Sequence, residues 1–520
     1  MSRYLLKTLG CKANLYDTQQ IEQELQKRGW LPGPNKPGPN KLETDKAGTD
    51  TPGTIQEDTP VELCIVNSCT VTNEADKQSR KMATRLAREN PHAVIVMTGC
   101  GAEVDPEGMS RVKGVHYVVG NQNKPELVDL VLEQGAKIPS ITSDILNPHE
   151  SSILGDTKNY KELISSHPMD REWPVETSFS LPTLQSGGNS SKTRCFLKIQ
   201  EGCNSFCTYC IIPYGRGPSR SLRPHLLIQQ IRELVEQGLR EVILTGTNIG
   251  DYGKDWGKEP ILDLLIEMIL TETQLERLRV SSLDPTEITP KMLSLMRQDS
   301  RFCPHFHVSL QSPHSRILRL MKRPYRFEQV QECLLSLKEI PAPVGGAYVG
   351  MDVITGFPGE TEEEFEWSYN VLATLPWTRL HVFPYSERAG TPATKLPGSV
   401  PQSVRVDRAR RLNELSFERL KGHYRSVLEE CKATQKPLTS ILMERGGAQN
   451  WSSGHTLNYL KVMLPSYAQM EAQRDVQVSS KVQGNDVISA IPLDLTLDTQ
   501  GWDVALVAKP TPLVPILMSL

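Results

Sequence analysis

Residues 201–221 read EGCNSFCTYCIIPYGRGPSRS and contain three cysteines, Cys203, Cys207 and Cys210, at C-x3-C-x2-C spacing. A four-iron cluster takes one thiolate per iron, so three neighbouring cysteines leave one iron without a protein ligand. A closed structural zinc site needs four ligands, usually as two separated pairs, and this stretch offers no fourth candidate nearby. The spacing therefore favours an iron–sulfur cluster with one open iron over a zinc site or three inert thiols.

The cysteine stretch follows the first of several predicted strand-and-loop units, which are separated by helical stretches. These units read RCFLKIQEGC, EVILTGTN, RLRVSSLDP, HFHVSLQSP, GMDVITGFPGE and TRLHVFPYS. Six units over roughly 190 residues predict a full or partial β/α barrel, whose active site lies at the C-terminal ends of its strands. We assign residues 193–430 to this central domain.

The sequence of residues 1–133 predicts a second α/β domain, because its predicted strands alternate with helices as in a doubly wound parallel sheet. Its predicted strands read RYLLKTL, VELCIVNSC, AVIVMTGC and VHYVVG, and Asp17 is expected to cap the first helix. Cys11, Cys69 and Cys100 each follow one of these strands. Such sheets bind ligands beyond the carboxyl ends of their strands, so we expect the three thiols to meet there.

Three other segments differ in composition from the two α/β domains. Residues 31–60 are rich in proline, glycine and charge and predict a solvated insertion. Residues 134–192 are rich in serine, proline and glycine and predict a linker. Residues 431–520 contain short strands with turn signals between them, which predict a small all-β barrel.

The bulk composition limits the environment in which the protein works. The chain has 58 Lys and Arg against 61 Asp and Glu, so no global charge favours a nucleic acid or a membrane, and any such partner must bind local patches. No apolar run reaches the roughly eighteen residues of a membrane span. The chain has eleven cysteines, and some of them are clustered. In a reducing compartment, clustered cysteines are typical of metal ligation and not of disulfides. We expect a cytoplasmic monomer with no membrane contact.

The cysteine motif at the start of a predicted β/α barrel resembles the radical S-adenosylmethionine superfamily. Within it, the stretches TLGCKANLYDTQQIE, CIVNSCTVTNEADKQSR and VMTGC resemble the N-terminal domain of the methylthiotransferases, and WSSGHTLNYLKVMLP resembles their RNA-binding TRAM module. The resemblance implies that Cys203, Cys207 and Cys210 bind a catalytic [4Fe–4S] cluster, whose open iron binds S-adenosyl-L-methionine for reductive cleavage to a radical. It implies a second [4Fe–4S] cluster at Cys11, Cys69 and Cys100.

The resemblance also implies further contacts to the cofactor. Tyr209 matches the residue that lies against adenine, and Thr245 and Gly246 match the strand that contacts the methionine part. The remaining candidates, at later strand ends, are Ser309, Gln311 and Asp352. For each of these residues, an ordinary role as a packed aromatic, a strand-end cap or a turn former is an equal alternative.

The substrate prediction depends on finer motifs. The stretches GCKAN, NSCTVTNEADKQSR and PYSERAGTPA most resemble the branch that acts on N6-threonylcarbamoyladenosine, at position 37 of tRNA, immediately 3′ of the anticodon. The implied reaction adds a methylthio group to C2 with two S-adenosylmethionine molecules and two [4Fe–4S] clusters. The alternatives are isopentenyladenosine in tRNA, a ribosomal-protein aspartate, and a non-enzymatic Fe–S RNA-binding redox sensor, which would form no 5′-deoxyadenosine.

Two partners follow from this resemblance: the tRNA anticodon arm and an electron donor such as a flavodoxin or ferredoxin. Candidate RNA contacts are the basic stretch RILRLMKRPYR, the basic helix near 405–425, and two interleaved aromatics, Tyr325 and Tyr424. Arg216, just after the cysteine loop, could bind an RNA phosphate or the cofactor carboxylate. A run of charge is more often only a solvated helix face.

Overall fold

The computed structural model describes residues 2–34, 60–135, 152–154, 194–257, 259–444, 451–465, 487–497 and 503–510. The N-terminal strands are β1 (Arg3–Thr8), β2 (Leu31–Pro32), β3 (Leu63–Ser68), β4 (Val94–Gly99), β5 (Tyr117–Val119) and β6 (Ser152–Leu154). The N-terminal helices are α1 (Lys12–Lys27), α2 (Asn73–Glu89), α3 (Cys100–Val104), α4 (Pro106–Ser110) and α5 (Leu127–Gly135), with a 3-10 turn at Lys124–Glu126.

The N-terminal sheet is parallel throughout, in the order β2-β1-β3-β4-β5-β6. On one face, Leu25 of α1 and Val128 of α5 pack against Ile65 and Val96. On the other face, residues of α2, α3 and α4 pack against the same strands. Helices therefore cover both faces, which confirms the predicted doubly wound sheet.

Both edges of this sheet contain a strand that the sequence patterns did not predict. Leu31–Pro32, at the start of the predicted 31–60 insertion, pairs with Arg3 and Tyr4. Ser152–Leu154, inside the predicted 134–192 linker, pairs with Tyr117–Val119. Strands of two and three residues are too short to show the two-residue alternation on which strand prediction depends. Residues 35–59, 136–151 and 155–193 lie outside the described part of the chain.

The central strands are β7 (Arg194–Glu201), β8 (Arg220–Ser221), β9 (Glu241–Gly246), β10 (Arg277–Val280), β11 (His305–Gln311), β12 (Tyr348–Thr355) and β13 (Arg379–Pro384). The central helices are α6 (Ile212–Arg216), α7 (Pro224–Glu236), α8 (Leu262–Glu272), α9 (Pro290–Gln298), α10 (Ser315–Leu320), α11 (Phe327–Lys338), α12 (Glu362–Thr374) and α13 (Gln402–Thr434). Short 3-10 turns occur at Ile249–Asp251, Lys254–Trp256, Pro285–Glu287 and Pro392–Lys395.

These strands form an open β/α barrel. β10, β9 and β7 are parallel neighbours, as are β11, β12 and β13, and two parallel bridges, Leu278–Phe302 and Leu283–Val308, join the groups. Within the described residues β7 and β13 do not pair, so the barrel is open between them. In β11, alternate residues pack outward in the main core and the others face the enclosed space, here called the lumen. The partial barrel is thus confirmed.

The C-terminal strands are β14 (Leu438–Met443), β15 (Trp451–His455), β16 (Lys461–Pro465), β17 (Val487–Leu497) and β18 (Val504–Pro510). They close into a barrel in the order β14-β15-β16-β18-β17, as the all-β prediction required. Helix α13 continues past residue 430, where we placed the end of the central domain, and its Leu420 and Val427 join the core of this barrel.

The lumen is bounded by all three parts of the chain. Helix α1 packs on the lumen side of β7, where Lys12 Nζ lies 5.8 Å from the centre of the Phe196 ring. The amino ends of the central strands contact the turn between β15 and β16. There Arg277 donates to the carbonyl of His455 at 3.1 Å and Arg279 to that of Thr456 at 2.9 Å. The opposite end of the lumen, where the strands end, is the mouth.

Candidate functional site

The loop that carries Cys203, Cys207 and Cys210 leaves the mouth end of β7 in a constrained conformation. Gly202 has φ +74°, and a Cβ on it would lie 1.9 Å from the carbonyl oxygen of Pro218. Phe206 has φ +47°, an uncommon value for a residue with a side chain. Unusual backbone conformations of this kind concentrate at functional sites, because the surrounding structure must hold them.

A buried guanidinium lies against this cysteine loop. Arg323 Nη1 donates to Cys207 Sγ at 3.0 Å, its Nε donates to the Tyr325 hydroxyl at 3.0 Å, and its Nη2 pairs with Asp284. The Arg323 side chain is 7% exposed. It lies in the basic stretch that we predicted to bind RNA, but its buried guanidinium is instead a partner of Cys207, Tyr325 and Asp284.

The second triad, Cys11, Cys69 and Cys100, follows strands β1, β3 and β4 of the N-terminal sheet. Glycines bring these strand ends together. A Cβ on Gly10, at φ +94°, would lie 2.6 Å from Cys69 Sγ. A Cβ on Gly99, at φ +93°, would lie 2.4 Å from the carbonyl oxygen of Ser68. Besides burial, the charge of Cys11 raises the pKa of both Cys69 and Cys100.

The donor chemistry of each triad fits an iron–sulfur cluster. Burial raises the pKa of Cys69 to about 12 and also raises that of Cys100 and Cys210, so these thiols ionise only when a positive group binds them. Among the described residues, no three His, Cys, Asp or Glu side chains converge on a single metal ion. A four-iron cluster binds each thiolate through a different iron, and its ligands therefore stand farther apart.

Helix α6 connects the two triads. It begins directly after Cys210 and Ile211, and it packs against α3, whose first residue is Cys100. A Cβ on Gly215 would lie 3.4 Å from Cys100 Cβ. Asn121 Nδ2 donates to the carbonyl of Gly215 at 2.6 Å and lies 3.6 Å from Cys100 Sγ. The N-terminal triad and the segment after the central triad therefore share one domain interface.

A buried ion network crosses the same interface. Asp17 accepts from Lys124 and Lys198 at 2.9 Å each and from Arg216 at 3.1 Å. Glu201 accepts from Lys198 and Arg216. Burial raises the pKa of Asp17, but the three cations outweigh it and hold the pKa well below its usual range.

Two predictions are corrected by this network. Asp17 does not cap α1, which begins at Lys12 with Cys11 in the capping position, because its carboxylate is buried between the domains. Arg216 is 3% exposed, so it binds Asp17 and Glu201 and cannot reach an RNA phosphate. Sequence reasoning missed the network, because its partners are up to 199 positions apart.

The predicted cofactor residues are distributed along the mouth and the lumen. Thr245 and Gly246 end β9, where a Cβ on Gly246 would lie 2.6 Å from the carbonyl oxygen of Gln200. Ser309 and Gln311 are the lumen-side residues that end β11, and Gln311 has φ +64°. Tyr209 packs edge-on against Phe357 at 6.4 Å between ring centres. Asp352 lies inside β12, away from its end.

The lumen also contains a group of histidines that the sequence analysis did not single out. His307 stacks on His381 with ring centres 5.0 Å apart, and His307 Nε2 lies 2.8 Å from Asp352 Oδ1. Burial, followed by the charge of His307, lowers the pKa of His381 to about 4. His305 Nδ1 is buried without a hydrogen-bond partner in the described residues. The alternation of histidine with apolar residues in HFHV was the sequence signal that could have predicted that His305 and His307 share one face of the strand.

Several predicted RNA contacts are internal. In the 405–425 helix, Arg405 pairs with Glu387 and Arg408 with Glu360 and Glu362, and both arginine side chains are at most 6% exposed. Tyr325 and Tyr424 are 2% and 3% exposed. Buried rings cannot stack on a base, so these two tyrosines stabilise the fold instead.

Comparison with known proteins places the chain in a family. Residues 197–372 match the model of the Radical SAM superfamily, and residues 49–120 match that of the uncharacterized protein family UPF0004. The chain is 32% identical to the threonylcarbamoyladenosine tRNA methylthiotransferase MtaB of Bacillus subtilis, over 89% of this chain and 90% of that protein. It belongs to the radical S-adenosylmethionine methylthiotransferase family.

Other members of this methylthiotransferase family are nearly as similar. The MtaB of Aquifex aeolicus is 31% identical over 89% of this chain and 97% of its own. The tRNA-2-methylthio-N(6)-dimethylallyladenosine synthase of Carboxydothermus hydrogenoformans is 30% identical over 79% and 82%. Over the aligned residues, identity thus separates these relatives of the two branches by only one or two percentage points.

A solved structure shares the fold. The radical S-adenosylmethionine methyltransferase TsrM from Kitasatospora setae, with tryptophan and an S-adenosylmethionine analogue bound, matches with a TM-score of 0.50 and 15% identity, over 76% of this chain and 75% of TsrM. The prediction of a radical S-adenosylmethionine enzyme, which uses a [4Fe–4S] cluster and S-adenosylmethionine, is confirmed by the family. Among the helices that the structure describes, none combines the length and the hydrophobicity that a membrane-spanning segment needs.

Proposed function

We propose that the protein adds a methylthio group to C2 of N6-threonylcarbamoyladenosine at position 37 of tRNA. The observation that carries the proposal is the packing of α6 on α3, which joins the segment after Cys210 to Cys100. A second cysteine triad beside the catalytic loop suits a reaction that must deliver sulfur as well as activate carbon. The B. subtilis and A. aeolicus relatives are named for this nucleoside.

In this proposal Cys203, Cys207 and Cys210 hold the catalytic [4Fe–4S] cluster. When bound, that cluster and S-adenosylmethionine supply radical hydrogen abstraction at an unactivated carbon. The guanidinium of Arg323 donates a hydrogen bond to Cys207 Sγ at 3.0 Å and so helps to fix the position of this ligand. The residues assigned to S-adenosylmethionine remain Tyr209, Thr245, Gly246, Ser309, Gln311 and Asp352.

Cys11, Cys69 and Cys100 are proposed to hold a second [4Fe–4S] cluster, at which the sulfur is prepared. One S-adenosylmethionine then serves as methyl donor and another as radical source. Burial raises the pKa of both Cys69 and Cys100, and the charge of Arg216 lowers each pKa by a smaller amount. Arg216 thus helps to balance the negative charge that three thiolates bring into a buried site.

The anticodon arm is proposed to bind at the mouth. Arg319 and Lys322 of the predicted basic stretch are exposed, and Lys322 Nζ lies 5.9 Å from the ring centre of Phe206, within the cysteine loop. These side chains can contact phosphates while the target base enters between the domains. A flavodoxin or ferredoxin would supply electrons, and we propose a cytoplasmic monomer.

The test uses reconstituted holoenzyme, a low-potential reductant and an anticodon stem-loop RNA that carries the modified base. Cys207→Ala should form no 5′-deoxyadenosine, whereas Cys69→Ala should still cleave S-adenosylmethionine but form no methylthio product. Cys333→Ala, at a half-buried cysteine of α11, is the matched control and should retain both activities. Methylthio product from either triad variant would contradict these roles, and product only from the isopentenyl RNA would contradict the substrate.

A further inference from the structure

Phe383 is a large aromatic side chain that the fold leaves exposed on the lumen face of β13. Successive residues of a strand face opposite sides of the sheet, and Leu380 and Val382 pack outward in the main core. His381 stacks on His307 inside the lumen, so Phe383, two residues further along the strand, lies on the same face. Phe383 is 45% exposed and lies at the mouth end of β13. The inner wall of the mouth therefore contains an exposed aromatic ring.

The segment that follows β13 is attached to the catalytic cysteine loop. Tyr385 packs edge-on against Phe357 with 5.3 Å between ring centres, and Phe357 is the ring against which Tyr209 packs. The backbone N–H of Ala393 donates to the carbonyl of Thr208 at 2.8 Å. These contacts hold the end of β13 beside the loop that carries the central triad.

The same segment is attached to the loop that follows Cys69 of the N-terminal triad. The backbone N–H of Asn73 donates to Ser386 Oγ at 2.9 Å, and Asn73 Nδ2 donates to the carbonyl of Glu387 at 3.0 Å. Arg388 Nη1 in turn donates to Asn73 Oδ1 at 2.6 Å. The end of β13 thus lies between the loops of the two triads.

We propose that the target adenine, once it has left the anticodon loop, stacks on the ring of Phe383. This inference rests on the proposed function and names a contact for the base itself. An enzyme that reacts with a base must take it out of the stack of its neighbours, which costs stacking energy. An aromatic side chain at the destination offsets this loss, because every base presents a π-face.

Stacking on Phe383 leaves the reacting edge of the base free. The ring would cover one face of adenine, whereas C2 and the N6 substituent both lie on the edges of the base. The contact therefore fixes the plane of the base while C2 stays accessible from the loops of both triads, which meet the end of β13.

The lumen next to Phe383 changes from apolar to polar with depth. On the neighbouring strand, Ile354 is the register partner of Phe383, whereas Asp352 is the register partner of His381. His307 Nε2 lies 2.8 Å from Asp352 Oδ1, and the two imidazole rings stack beside this pair. An apolar pair near the mouth and a polar group deeper in the lumen suit a nucleobase, whose faces stack and whose edges form hydrogen bonds.

Binding measurements with holoenzyme test this contact. Two anticodon stem-loops would carry threonylcarbamoyladenosine or an abasic nucleotide at the target position, and fluorescence anisotropy would give each Kd. The ratio of the two Kd values measures what the base contributes to binding. Phe383→Ala should lower this ratio about five- to a hundredfold, the range expected for one base–aromatic stack, by weakening only the RNA that carries the base.

Matched variants separate stacking from a general structural role. Phe383→Tyr keeps the aromatic ring and should keep the wild-type ratio, whereas Phe383→Leu keeps apolar bulk without a π-face and should lose most of it. Trp367→Ala removes another aromatic side chain, 40% exposed on α12 and outside the lumen, and should change neither Kd. Iron content and visible absorbance verify that the clusters are retained.

The adenine of S-adenosylmethionine offers the same stacking chemistry, and a separate Kd for S-adenosylmethionine distinguishes the two. If Phe383→Ala weakens the cofactor while the RNA ratio is unchanged, the ring contacts the cofactor and the inference is wrong. Equal weakening of both RNAs, or of neither, would also overturn it. In these cases methylthio product from wild type and the threonylcarbamoyl RNA leaves the function intact, whereas product only from the isopentenyl RNA contradicts the function. Should Phe383→Ala fail to fold, Phe383→Leu provides the same test.

Discussion

Replacing Asp17 by asparagine removes the carboxylate on which three buried cations converge, while keeping the size of the side chain. Lys198 and Arg216 come from the central domain and Lys124 from the N-terminal domain, all within 3.1 Å of Asp17. Within the described residues, Glu201 would then be the carboxylate that still pairs with Lys198 and Arg216, and Lys124 would lose the partner it has in Asp17. The substitution therefore leaves uncompensated positive charge inside the interface between the two α/β domains.

The expected cost follows from the burial of the network. Asp17, Lys198 and Arg216 side chains are at most 4% exposed, so water cannot screen the unpaired cations. Removing one partner from a buried ion pair costs about 3–5 kcal/mol. At 1.4 kcal/mol per factor of ten, opening of the interface should become at least about a hundredfold more frequent.

Hydrogen exchange of backbone amides in α1 and β7 would measure this opening directly. Asp129→Asn is the matched control, because Asp129 pairs with Arg28 at 2.6 Å but is 54% exposed. Breaking that surface pair should cost at most about 1 kcal/mol. Equal exchange rates for the two variants would refute the argument that buried charge holds the domains together. Partial recovery in the Asp17→Asn/Lys198→Met double variant would support it.

Two further substitutions test other contacts. Burial raises the pKa of Glu444, but His455, whose Nδ1 lies 3.2 Å from the Glu444 carboxylate, and the charge of Arg194 outweigh it and lower the pKa to about 2. The stabilising effect of Glu444 should therefore be complete above pH 4.5 and lost as the pH falls towards 2. Glu444→Gln should flatten the acid limb of chemical denaturation, and an unchanged limb would contradict the pairing. Gly10→Ala should cost about 1–3 kcal/mol more than Gly238→Ala, because only the first Cβ meets an atom, Cys69 Sγ. Equal midpoints of thermal unfolding would argue against that contact.

The sequence predicted the features that depend on local spacing and on strand ends. Cys203, Cys207 and Cys210 are close in the chain, so their shared loop could be read directly. Cys11 and Cys69 are 58 positions apart, yet both follow strands of one parallel sheet, whose carboxyl ends meet at one edge. For such residues, the predicted secondary structure is enough to show that they lie close together.

Features that depend on how separate domains pack were not predictable. Nothing local distinguishes Asp17 from an ordinary helix cap, since its partners Lys198 and Arg216 lie in another domain. The basic helix near 405–425 looked like an RNA-binding face, but Arg405 and Arg408 lie on the side that packs against the barrel. Which face of a helix is buried becomes known only when the neighbouring elements are placed.

The most direct test of the central claim is mass spectrometry of nucleosides from bulk tRNA. Cells that lack the protein would be compared with the same cells expressing wild type or Cys207→Ala. The account predicts that wild type alone restores 2-methylthio-N6-threonylcarbamoyladenosine. If that nucleoside does not change, while the isopentenyladenosine derivative or a ribosomal-protein aspartate does, the substrate assignment is contradicted.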